Sequence, residues 1–173
     1  GGEPFGADRT LETVRAHCAR PCAARQPVVL LPNDRDGLRA FYLEAWRKRL
    51  ERLPAEPLEV QVADVIAEHP EYHALLQDPD AALGGDWTPE SGESNPFLHM
   101  GLHLALREQV STDRPAGIAA LHRTLVARVG RHEAEHLMAE RLAQAIWQAQ
   151  RNNSAPDEVS YMETLRALER TQR

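Results

Sequence analysis

Three pairs of histidines sit four residues apart in this 173-residue chain: His69 with His73, His99 with His103, and His132 with His136. Eight histidines scattered at random over that length would produce about 0.4 such pairs, by the counting that periodicity arguments require. In an α-helix, residues four apart lie one turn above each other on one face. Two imidazoles so placed can grip one metal ion, and imidazole commonly binds zinc, iron, copper and nickel. The spacing predicts a metal site in which one helix supplies His99 and His103 and another supplies His132 and His136. His69 and His73 flank Pro70, and they read equally as further ligands or as groups that cap local structure.

Carboxylates stand close to the last pair. Glu140 follows His136 by one helical turn, which puts His132, His136 and Glu140 in a line. Glu133 precedes His136 by three, the Glu-x-x-His spacing of carboxylate-bridged di-metal bundles. The five residues HEAEH also fit H-E-x-x-H, in which both histidines hold zinc and the glutamate activates water. A mixed histidine–carboxylate shell admits iron, manganese or zinc, with iron and zinc foremost. Iron would imply oxygen activation or redox sensing. Zinc would imply hydrolysis, with Glu133 as the catalytic general base. The alternative belongs to another class: a metal-free interaction module whose histidines and glutamates form a buried hydrogen-bond network and which binds a protein partner. His122 shares a face with Ile118 and Val126 and reads as a core histidine.

The elements that would carry these residues are helices. Ala, Leu, Arg and Glu are plentiful and β-branched residues are few, a mixture that favours helix over strand. Asn33 or Asp34 can cap a helix to about Leu53, with Leu38, Phe41, Tyr42, Ala45 and Trp46 as its apolar stripe. A second helix ends at His69-Pro70, because the residue before proline avoids the helical region. PEYHALLQ makes a short helix, and residues 78–94 read as a long loop rich in Gly, Pro, Asp and Ser. Asn95-Pro96 starts the next helix with a capping side chain and a proline in the first turn. Further helices span about 118–129, 131–151 and 157–170, with Gly130 as a stop and Val159, Met162, Leu165 and Leu168, or some similar subset, turned inward on the last. The expectation is an all-α, single-domain bundle of about six helices over residues 34–173. Residues 1–33, broken by Pro21, Pro27 and Pro32 and holding both cysteines, read as a loosely ordered N-terminal extension. Trp46, Trp87 and Trp147 read as core or loop anchors.

Composition removes several function classes. The formal charge is −6, so nothing draws the protein in bulk to nucleic acid or to an anionic membrane. The one dense basic run, RKRLER from Arg47 to Arg52, reads as a solvated helix end. No apolar run approaches the length of about 20 residues that spans a bilayer, and no signal-peptide pattern opens the chain. Cys18 and Cys22 are too few for a disulfide framework, and the expected location is cytoplasmic. Phosphate loops, dinucleotide fingerprints and nucleophilic triads are not found.

Four segments carry a resemblance: FYLEAWRK, EHPEYHALL, NPFLHMGLHLALREQ, and HEAEHLMAE followed by IWQAQRN. From about Asp34 to Leu168 the chain resembles a bacterial, mostly proteobacterial, family of small proteins known only as a domain of unknown function. The resemblance implies no reaction and no substrate. It does imply that the family is marked by the same segments the histidine spacing selects.

Overall fold

The structure, a computed structural model, describes residues 34–87 and 94–172. Those residues form eight α-helices and a single 3-10 turn, with no strand among them. In chain order the helices are α1 (Arg35–Glu51), α2 (Pro57–Ala67), α3 (His73–Leu76), α4 (Pro79–Gly84), α5 (Pro96–Thr112), α6 (Ile118–Val129), α7 (Arg131–Arg151) and α8 (Glu158–Thr171). The 3-10 turn Pro70–Tyr72 joins α2 to α3. The all-helical class is as expected, whereas the count is eight rather than about six, in part because α4 forms where the sequence reads as loop. The expectations for residues 1–33, including Cys18 and Cys22, lie outside the described residues.

Local chemistry explains most boundaries. Asp34, Asn95 and Asp157 each accept hydrogen bonds from backbone N–H groups of the first turn that follows them. Gly130 sits at φ +85°, a conformation that glycine adopts without strain, and it separates α6 from α7. Within the stretch 78–94, which reads as loop, Pro79–Gly84 are instead helical, and residues 88–93 lie outside the described residues. Asp78 accepts from the Ala81 N–H at 3.1 Å, Pro79 occupies the first turn, and Ala82 is fully buried. Asp-Pro is a helix-start signal as well as a loop signal, and burial of Ala82 decides between them. Arg39 completes this short helix: its guanidinium donates to the carbonyls of Ala82, Leu83 and Gly85, which the end of α4 leaves free.

Two apolar cores meet along α5. The first gathers Tyr42, Trp46, Val62, Ile66, Leu76, Phe97 and Met100 from α1, α2, α3 and the start of α5. The second gathers Leu106, Leu125, Met138, Leu142 and Leu165 from the end of α5 with α6, α7 and α8. On α5 the buried residues Phe97, Met100, His103 and Leu106 recur at helical spacing, so His103 falls where one core gives way to the other. Two expectations about apolar residues are corrected. Val159 is 69% exposed, and Tyr161 joins Met162, Leu165 and Leu168 in the core, because these four share the buried helical register of α8 and Val159 falls outside it. Trp147 is exposed and lies beside the Arg151 guanidinium rather than anchoring the core.

The basic run on α1 is a paired, solvated face. Arg47 bridges Glu44 and Glu51, Lys48 holds Glu59, and Arg49 holds Asp64. No helix among the described residues is long and apolar enough to cross a membrane.

Candidate metal centre

The chain leaves α2 because Pro70 cannot continue it, and carbonyl oxygens at that end lose their helical donors. There the Val65 and Ile66 carbonyls accept instead from the backbone N–H groups of Glu68 and His69, and two histidine rings add a second donor to each. The His69 ring donates through Nδ1 to the Val65 carbonyl at 2.7 Å, and the His73 ring donates through Nε2 to the Ile66 carbonyl at 2.9 Å. His73 is thereby turned toward the helix end, with its ring 4.5 Å from that of Trp46. His69 is fully buried, and with its proton on Nδ1 its Nε2 is an acceptor whose lone pair is turned toward His136.

That lone pair meets three others. His69, His99, His103 and His136 each offer a ring nitrogen, and these atoms all lie within 4.8 Å of one another. His69 Nε2 and His136 Nε2 are 3.2 Å apart. The six ring-to-ring distances run from 4.6 Å for His69–His103 to 5.4 Å for His69–His136, so the four imidazoles surround a common point. Tetrahedral coordination at about 2.0–2.1 Å per nitrogen sets the donors about 3.3 Å apart, close to the His69–His136 separation. His99 Nε2 and His103 Nε2 are buried and have no hydrogen-bond partner among the described residues.

Glu135 fixes the orientation of His103. Its Oε2 accepts from His103 Nδ1 at 3.2 Å, which assigns the ring proton to Nδ1 and leaves Nε2 as an acceptor facing the group. The same oxygen accepts from Arg107 at 3.0 and 2.7 Å, while Oε1 accepts from Arg131 at 2.8 Å. Arg107 also donates to Glu68, beside His69. Burial alone would raise the Glu135 pKa, but hydrogen bonds from His103, Arg107 and Arg131 outweigh it and hold the carboxyl well below its usual range. A carboxylate behind a metal-binding histidine fixes the tautomer and raises the basicity of the free nitrogen.

The residues singled out by spacing are distributed as follows. Both members of the α5 pair, His99 and His103, belong to the group, as does His136 of α7 and His69 at the end of α2. His132 stands beside the group, its ring 4.2 Å from that of His136, and is exposed. His73 serves the helix end. Glu133 and Glu140 are both exposed and lie outside the group of four. His122 is partly buried, with Nε2 4.0 Å from Glu135 Oε1. Glu135 itself carries no signal in the H-E-x-x-H reading. It stands three residues before Met138 and seven before Leu142, so a charge in the buried register of α7 was there to be found.

Burial disfavours the charged form of His69, His99 and His136. Burial, then repulsion from His103, His69 and His136, brings the His99 pKa down from 6.5 to about 4. Burial also lowers His69 and His136. Metal-free protein should therefore lose stability on acidification. The unfolded chain protonates His99 near pH 6.5 and the folded chain only near pH 4, so in that window the unfolded state binds more protons. Stability is complete above the upper value and declines toward the lower one, with His69 and His136 acting in the same direction. Urea midpoints of chelator-treated protein at about pH 7.5 and about pH 5 check the sign. Equal midpoints would contradict the burial of neutral imidazoles.

Fold and site together define an all-helical protein with a four-histidine group that could hold a metal ion. Residues 34–167 match the family described as domain of unknown function (DUF1841), and the chain belongs to that family. Comparisons with curated proteins and with solved structures gave no match.

Proposed function

We propose that this protein binds one transition-metal ion through the Nε2 atoms of His69, His99, His103 and His136. The observation that carries this reading is the pair of buried nitrogens on His99 and His103, which lack hydrogen-bond partners among the described residues while facing two further imidazoles. A buried polar atom without a partner costs about 1–3 kcal/mol, so a hydrogen-bonded network would be expected to satisfy both. An ion at the shared point satisfies all four lone pairs at once.

The donor set is entirely imidazole, which suits zinc, iron, copper or nickel and disfavours manganese. Four protein ligands close a tetrahedral zinc site and leave no position for water, which removes the task assigned to Glu133. Its exposure agrees with that. Iron, which accepts further ligands, keeps the redox or oxygen-related reading open through its remaining positions. Glu135 and Arg107 act here through His103, holding its ring in place.

Metal analysis of untagged protein, paired with melting curves, tests the proposal. One equivalent of metal is expected. Removal by chelator should lower Tm by about 10 °C, since an ion at 1,000 times its Kd contributes about 4 kcal/mol. Metal-free protein with a melting curve indifferent to chelator would instead support a hydrogen-bonded histidine network.

A further inference from the structure

A fifth imidazole stands at the rim of the group. His132 is exposed, and its ring lies 4.2 Å from that of His136 and 5.4 Å from that of His69. His69 and His103 are fully buried, whereas His136 and His99 are only partly so. An ion arriving from solvent therefore meets the outer imidazoles first. His132 and His136, one turn apart on α7, can hold it together before the inner nitrogens engage. His136 Nε2 is in turn 3.2 Å from His69 Nε2.

Charge around this approach favours a cation. Glu71 and Glu133 are exposed; Glu71 acts electrostatically on His69 and His99, and Glu133 acts on His136. The cationic Arg107 and Arg131 are tied to Glu135. Negative charge at the edge of a low-dielectric site raises the local concentration of cations.

Resting on the reading of the four histidines as a metal site, we propose that His132 is a surface relay ligand. It captures a divalent transition-metal ion from solvent and hands it through His136 to the buried set. Each step exchanges one metal–ligand bond for another. A nitrogen lone pair of the protein displaces a bound water or the preceding imidazole, and no electron leaves the ion.

The test is stopped-flow loading of chelator-stripped protein with Co(II) alone, followed by visible absorbance and finished by metal analysis. Wild-type protein should take up one equivalent. His132→Ala, an exposed substitution that leaves the cores untouched, should reach the same final spectrum and stoichiometry several-fold more slowly. Glu71→Gln combined with Glu133→Gln should slow loading about tenfold at low salt and less at high salt. An unchanged rate in His132→Ala overturns the relay while leaving the metal site intact. A reduced stoichiometry or altered final spectrum also overturns it, because His132 would then be a resident ligand. Failure of wild-type protein to take up Co(II) overturns both readings.

Discussion

Replacing His103 with alanine is expected to abolish stoichiometric metal binding and to destabilise the metal-free protein by about 3 kcal/mol. Both effects follow from its position. The side chain is fully buried between Met100 and Leu106, so truncation opens a cavity where the two apolar cores join. It also removes one of the donors that satisfy Glu135, which stays buried and charged. On the proposed reading the ion would also lose a donor whose ring Glu135 holds in place. Metal content and urea midpoints, measured with and without chelator, separate the two effects. The cavity loss should persist in chelator, whereas the difference in metal stabilisation should vanish. Retention of one tightly bound equivalent by this variant would mean that the ion sits elsewhere.

Glu135 is the second place where a single change should act strongly. Glu135→Ala should destabilise the fold by about 3–5 kcal/mol, the usual result of removing one partner from a buried charged network. The carboxylate is 1% exposed and accepts from His103, Arg107 and Arg131. Arg107 would keep Glu68, but its charge would be poorly matched. Glu135→Gln preserves volume and can still accept a hydrogen bond, so it isolates the charge. Its metal affinity should fall about 10–100-fold, as when the outer partner of a metal-bound histidine is lost. Denaturant titration measures the first effect and competition against a chelator of known affinity the second. Unaltered affinity in Glu135→Gln would show that the carboxylate serves the fold alone.

The contrast between Glu133 and Glu135 shows how far residue spacing reaches. H-E-x-x-H directs attention to Glu133 and to both flanking histidines. On α7, however, the buried register runs through Glu135, Met138 and Leu142. Glu133 and Glu140 fall outside that register and meet solvent. His136 lies at its flank, where the end of α2 brings His69 against it. Spacing along one helix cannot report that approach, because His69 is 67 residues away in the chain.

What the sequence alone determined was the set of helices and the residue types able to do chemistry. Asn95-Pro96, Gly130 and Asp157 bound their helices through short-range capping and backbone preferences, which act within a few residues. The recurrence of histidine at one-turn spacing is equally local. Tertiary structure decided which imidazoles converge, that His73 caps a helix while His69 turns inward, and that Glu135 stands behind His103. Those outcomes depend on how α2, α5 and α7 rotate and approach as the two cores close. That packing is set by apolar contacts distributed over the whole bundle, and no motif of five residues records it.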